Sequence, residues 1–257
     1  SRAAALNGLT FGMQIAVGPL IAGVLIAAFG FPVTFAVDAV LFTAGFVGVV
    51  GLPRLPPLGV VTRPGLRSLI EGFAFLRHAP NIRMSFIVDL IAMIFGMPRA
   101  VFPEVAHTVF GGNSEGGIEF ALLYAGMPIG AVLGGVLGGW ISRVRRYGLA
   151  VLVAISVWGA AVVATGLAFE FAPEARIIML IVAVTALAVG GASDMSSAAF
   201  RQSILLGETN DAVRGRLQGV FIVVVAGGPR IDDILHGSAS EFISPAATTW
   251  GGGLLVI

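Results

Sequence analysis

Eight acidic or arginine side chains stand inside otherwise apolar runs of this 257-residue chain: Asp38, Asp89, Arg99, Glu104, Asp194, Arg230, Asp232 and Asp233. A charge in hydrocarbon costs about 3 kcal/mol by insertion scales unless it is paired or hydrated. Groups held at that cost can take up a proton, hold a counter-charge or contact a polar ligand. Other chemistries lack their residues. There is no cysteine, which excludes disulfides, thiol nucleophiles and cysteine metal sites. All 15 basic residues are arginine, so neither a Walker A phosphate loop nor a Schiff-base lysine can form, and an ATP-driven pump contained in this chain is excluded. His78, His107 and His236 are scattered without metal-ligand spacing, so no metal or other cofactor is expected. A net charge of +1 gives no sign of a nucleic-acid partner.

The elements that must position these groups follow from composition. With 57% hydrophobic and 11% charged residues, against about a quarter charged in soluble domains, the chain reads as an all-α polytopic membrane protein whose solvent is the lipid bilayer. At about 20 residues per crossing there is room for roughly eight spans. Uncharged runs at 9–29, 120–141 and 149–169 predict three of them. Runs at 33–52, 84–108, 177–200 and 217–239 predict four more, with the ionisable groups inside. The run 242–257 has 16 residues, and its helix is expected to be cut off. No charged segment precedes the first run, so no signal peptide is expected.

Arginine placement orients the spans. Eleven arginines fall in alternate connections: Arg54, Arg63, Arg67, Arg77 and Arg83, then Arg143, Arg145 and Arg146, then Arg201, Arg214 and Arg216. The opposite connections hold Glu115, Glu119, Glu170, Glu174 and Glu241, with Arg176 alone of its kind. Arginine-rich loops mark the cytoplasmic side, so the first helix runs outward. The connection 53–83 carries Pro53, Pro56, Pro57 and Pro64, which break helix, and then an amphipathic stretch at 68–79. It reads as a cytoplasmic linker with an interfacial helix.

The first and seventh spans begin alike. Leu6-Asn7-Gly8 leads to Gly18-Pro19, and Leu217-Gln218-Gly219 leads to Gly228-Pro229, with Gly-to-Pro spacings of eleven and ten. A repeat six spans apart with unchanged orientation is the parallel repeat of major facilitator transporters. In detail, Arg214 to Phe221 followed by Gly227-Gly228-Pro229-Arg230-Ile231-Asp232-Asp233 resembles the enterobactin-exporter-like branch of that superfamily. There the helix typically reads Gly-Gly-Pro-Arg-Leu-Gly-Asp, so Arg230 and Asp233 match and Asp232 replaces a glycine. The runs Val88 to Arg99, Gly139 to Arg146, and Ala192 to Met195 with Phe200-Arg201 are also similar to it. The superfamily's loop motif, Gly-x-x-x-Asp-Arg-x-Gly-Arg, is matched in part at 138–146, with Ser142 for the aspartate and Arg145 for the second glycine.

The resemblance covers essentially the whole chain. It implies a partial major facilitator fold: residues 1–52 as the last two helices of the N-terminal bundle, 53–83 as the linker, and 84–257 as most of the C-terminal bundle. The first four helices would lie outside this chain. It further implies a multi-pass protein of the inner (plasma) membrane that exports siderophores, drugs or other amphipathic small molecules, coupled to protons, and that is not an enzyme. A transport-inactive fragment or helper stays open. A membrane-embedded transferase would need a nucleophile or base at one membrane surface, and the acidic loops show no His-Asp or paired-carboxylate spacing.

Several residues admit two readings. Gly126, Gly130, Gly134 and Gly138 recur every fourth residue, a small-residue stripe for close helix packing or for sliding contact. Gly18-Pro19 and Gly228-Pro229 interrupt backbone hydrogen bonding, as packing kinks or as hinges. Counting about 1.5 Å per residue puts Asp89 and Arg201 at one depth, and Asp194 and Arg230 at another near the midplane with Arg99 slightly beyond. These depths predict the pairs Asp89–Arg201 and Asp194–Arg230, while Arg230 and Asp233, three apart, could instead satisfy each other. Each pair is either structural or the site of proton coupling or substrate contact. His107 and His236 are expected to be interfacial, with a proton relay as the other reading. Met93, Phe95 and Met97 suit an amphipathic cargo or ordinary packing.

Topology is open to test because the chain is free of cysteine. Single cysteines at Thr62 and Asn113 are expected to react with a membrane-impermeant maleimide from the cytoplasmic and the external side respectively. Labelling of both from one side would overturn the span order.

Overall fold

A computed structural model describes residues 21, 25, 29–30, 32–50, 66–113, 117–208 and 211–257. The Gly18-Pro19 pair, most of the run 9–29 and the proline-rich part of the 53–83 connection lie outside the described residues. Those described form nine α-helices and two 3-10 turns and contain no strand. Five helical stretches are long and apolar enough to cross a membrane, so this is a multi-pass, all-helical chain.

Helix α1 (Pro32–Val50) is apolar but for Asp38 and two threonines, and its Phe35, Phe42 and Val50 are exposed. A helix hydrophobic all round needs lipid or other helices around it. Helix α2 (Leu66–Leu76) covers most of the 68–79 stretch expected from sequence, starting two residues earlier and ending three earlier. The chain turns at Arg77–Ala79, and α3 (Pro80–Phe95) starts on Pro80, because proline suits a first helical turn, where its missing N–H is no loss.

The expected single span 84–108 is broken. Helix α3 ends at Gly96, a 3-10 turn occupies Pro98–Val101, and α4 (Phe102–Thr108) follows. Pro98 has no N–H to give and pushes the residue before it out of helical geometry, and Met97 accordingly sits at φ −123°, ψ 63°. Helix α5 (Ile118–Val136) also stops short of 141 and passes into a 3-10 turn, Gly138–Arg143, where glycines weaken the helix. Helices α6 (Tyr147–Glu170), α7 (Arg176–Glu208) and α8 (Asp211–Phe242) follow. The 33 residues of α7 extend to about 50 Å, well beyond a hydrocarbon core of about 30 Å. Helix α9 (Pro245–Val256) is capped by Ser244, whose Oγ accepts from Ala247 N at 3.1 Å.

Helix α7 packs between α5 and α6, and α6 lies between α7 and α9. Helix α8 packs against α2, α3, α9 and the Pro98–Val101 turn. Three apolar layers follow one another along the bundle. One gathers Phe102, Phe110, Leu123 and Phe169, the next Met93, Trp158, Phe200 and Val256, and the third Leu76, Phe86, Leu205 and Leu217. Met93 belongs to the second core layer, and Phe95 and Met97 pack on it, so all three serve packing.

The α5–α7 seam is backbone on backbone. A β-carbon on Gly130 would overlap the Ala188 carbonyl, one on Gly134 would come 2.9 Å from Ala192 Cα, and one on Gly126 2.8 Å from Leu187 Cβ. Gly138 lies beyond the seam in the 3-10 turn and meets only Ile141. A second seam, Gly159 and Gly166 of α6 against Gly253 and Trp250 of α9, has no regular spacing in the sequence. Gly130→Ala is expected to lower the thermal stability of the detergent-solubilised full-length protein by about 1–3 kcal/mol, the usual cost of overpacking. Gly251→Ala faces open space and is expected to be neutral or slightly stabilising, since alanine favours helix. Equal melting of the two would overturn the seam.

Candidate functional site

Two clusters of charge are built where α3 and its continuation meet the other helices. The first joins α3 to α7. Asp194, Ser197 and Arg201 stand at i, i+3 and i+7 on α7, a spacing that puts them on one helix face. Arg201 Nη1 lies 2.8 Å from Asp89 Oδ1 and donates to Ser197 Oγ at 2.9 Å, while Nη2 lies 3.7 Å from Asp194 Oδ1. Asp89 and Arg201 are 0% and 6% exposed. The 2.8 Å contact is not aligned as a hydrogen bond, and neither Asp89 oxygen has a hydrogen-bond partner among the described residues. Two carboxylates thus face one guanidinium. A cavity of about 10 Å³ adjoins them, lined by Ser85, Asp89, Arg201, Gln202 and Phe221 among others, which is room for roughly one water molecule.

The second cluster joins the broken helix to α8. Past the break, Arg99 grips Asp233 with both arms, Nε to Oδ1 at 2.9 Å and Nη2 to Oδ2 at 3.0 Å. Arg230 Nη1 reaches the same carboxylate at 3.5 Å. Asp232, one residue and about 100° around the helix away, points inward and is 0% exposed. Its Oδ1 accepts the Met97 N–H at 3.1 Å and lies 3.0 Å from His236 Nδ1.

Depth counted from sequence thus pairs Asp89 with Arg201 correctly and fails for Asp194 with Arg230. Asp194 turns to Arg201, and the Arg230 side chain is 78% exposed. The physical reason is that α7 and α8, consecutive in the chain, take different neighbours: α7 packs on α5 and α6, α8 on α2, α3 and α9. Arg230 and Asp233 do meet, but Asp233 binds Arg99 more closely. Glu104 is exposed on α4 and belongs to neither cluster. Gly228 and Pro229 are buried inside α8, with Gly228 against Met93 of α3.

His236 is a correction, since it is buried at 3% exposure and not interfacial. An aspartate four residues before a histidine on one helix was the available signal. His107 is exposed, with Nδ1 2.9 Å from the Gly112 carbonyl oxygen. Ser197 also escaped the sequence reading. Trp158 is wholly buried, and its Nε1 donates to the Gly96 carbonyl at the helix break at 2.9 Å.

The family description Major Facilitator Superfamily matches residues 1–229. Curated relatives named Enterobactin exporter EntS, from Shigella boydii serotype 18 (strain CDC 3083-94 / BS512) and Escherichia coli O127:H6 (strain E2348/69 / EPEC), are each 28% identical to this chain over 258 residues. The alignments cover 100% of this chain, which spans 59% of the length of those relatives. No solved structure matches.

The first cluster makes an asymmetric expectation. Arg201→Gln leaves Asp89 buried without its cation, a loss of about 3–5 kcal/mol, and the yield of folded full-length protein is expected to collapse. Asp194→Asn leaves one carboxylate for one guanidinium and is expected to fold at wild-type yield. Size-exclusion profiles of both variants check this, and equal yields would show that Arg201 carries no structural charge balance.

Proposed function

The chain belongs to the Major Facilitator Superfamily, and on that premise we propose that it is part of a secondary transporter of the inner (plasma) membrane that exports small amphipathic molecules, of siderophore or drug type, by proton-coupled alternating access. In this reading residues 1–52 close the N-terminal bundle, 53–83 link the halves and 84–257 form most of the C-terminal bundle. The helices that complete the N-terminal half and the transported molecule are its partners. The relatives' printed name, enterobactin exporter, supports a siderophore-type cargo.

The observation that carries the coupling is the arrangement of Asp89 and Asp194 about the single guanidinium of Arg201. With both carboxylates ionised, the buried Asp89 and Arg201 with the half-buried Asp194 hold one negative charge in excess, and a single proton makes the set neutral. A ligand shifts a two-state equilibrium only by its differential affinity for the two states. A proton meets that condition here, because closing this cluster away from water costs less when the charges balance. Gly228, set against Met93 of α3, and Pro229 are the hinge candidates within α8.

The test is full-length protein in liposomes under an imposed pH gradient, with enterobactin and a panel of fluorescent amphipathic dyes. The wild type is expected to move at least one of them with the gradient. Asp194→Asn is expected to fold and bind yet lose gradient-driven accumulation by tenfold or more, because the neutral side chain imitates the protonated state. Undiminished coupled transport by that variant would remove Asp194 from the mechanism. If the wild type moves no compound tested, the helper reading takes the place of export.

A further inference from the structure

Neither the Arg201 cluster nor the Arg99–Asp233 clamp makes use of the imidazole of His236. Its Nδ1 lies 3.0 Å from Asp232 Oδ1 without being aligned as a hydrogen bond, and Nδ1, Nε2 and Asp232 Oδ2 are all buried without a hydrogen-bond partner among the described residues. Helix α9 closes the site. Gly252 brings its backbone so near that an added β-carbon would stand 2.7 Å from His236 Nε2, and the Phe95 carbonyl borders the same point. Two titratable groups are therefore enclosed by three elements, at the Phe95–Met97 break, on α8 and on α9.

The charges facing this pair can be named. From the broken helix comes Arg99, already held by both oxygens of Asp233. From α8 come Asp233 itself and Arg230, whose side chain is 78% exposed. Helix α9 contributes no ionisable residue. Arg99 and Asp233 cancel, and Arg230 is largely outside the enclosure. What remains is Asp232 with His236. One proton on the pair, carried as imidazolium beside carboxylate or as imidazole beside carboxylic acid, leaves the enclosed set neutral. Without it, a bare carboxylate stays in a site closed to water, which is costly unless compensated.

We propose that Asp232 and His236 form a proton-binding dyad, distinct from the Asp89–Arg201–Asp194 cluster and about 24–30 Å along α8 from Arg216. The proton resides on the His236 ring, as imidazolium beside the Asp232 carboxylate, while α9 covers it. It exchanges with solvent through Nε2 when α9 withdraws from α8. The dyad binds a proton whether or not the protein exports a siderophore, so its failure would leave the export reading standing.

Histidine-¹⁵N labelled full-length protein in nanodiscs tests this by nuclear magnetic resonance of the ring nitrogens, with the signal assigned by its loss in His236→Gln. Across about pH 5 to 9, the range in which histidines change charge, the wild-type ring is expected to pass between a neutral and a doubly protonated form. In Asp232→Asn the proton affinity of His236 is expected to fall at least tenfold. A wild-type ring held in one protonation state throughout that range would overturn the proposal. So would a titration in Asp232→Asn superimposable on the wild type.

Discussion

Between Phe95 and Pro98 the backbone leaves helical geometry in the middle of an apolar bundle, and the groups released there cannot turn to water. In a bilayer each unsatisfied N–H or carbonyl costs several kcal/mol, so irregular backbone survives only where protein satisfies it. Two side chains from other helices do so. The Trp158 indole of α6 donates to the Gly96 carbonyl, and the Asp232 carboxylate of α8 accepts the Met97 N–H. These bonds fix α3 to α6 and α8 at the same level. The break also re-aims the chain, so that Arg99, three residues after Gly96, meets Asp233. A continuous helix from Pro80 to Thr108 would leave Asp232 without the N–H that it accepts at the break.

Both charged clusters are built at the boundary of this broken helix, and in both the carboxylates outnumber the arginines enclosed with them. Breaking a buried pair is costly, yet replacing such a pair with apolar residues is often neutral or stabilising. Stability alone therefore gives little reason to keep Asp89, Asp194 and Arg201 in the bundle. The close packing that holds the helices together comes from elsewhere, from the glycine and alanine backbones of the α5–α7 and α6–α9 seams, as expected where lipid supplies no hydrophobic drive to association.

Much of this was readable from residue order. Uninterrupted apolar length placed most of the helices, and a four-residue glycine period marked the face of α5 that meets α7. Counting depth paired Asp89 with Arg201, because both sit at a level where their helices touch. The same count failed for Asp194 and Arg230, since depth along a helix carries no information on which way it faces or which helix stands opposite. The break at Pro98 was not read, because whether a proline two residues after a glycine bends, kinks or ends a helix depends on partners such as Trp158, which lies 62 positions from Gly96. His236 was missed although Asp232 stands one helical turn before it. Nearness to a helix end suggested an interface, whereas α9 folds back over the ring.

These contacts divide the described helices unevenly. Helices α5, α6, α7 and α9 are joined by seams in which backbones touch, and a rearrangement within that set would have to lift glycine-lined surfaces apart. Helix α3 meets the set through the Asp89–Arg201 ion pair and the Trp158–Gly96 bond. Helix α8 meets it chiefly at α9, around His236 and Gly252. Any displacement of α3 and α8 against the other four must therefore part Asp89 from Arg201 or open the enclosure of Asp232 and His236. The cost of parting charges depends on how many protons they hold, while the cost of separating glycine seams does not. In this bundle the ionisable groups thus stand at the boundary of α3 and α8 with the other helices. The apolar layers of Met93 with Trp158 and of Phe86 with Leu205 also cross that boundary, so that charge and packing resist a movement there together.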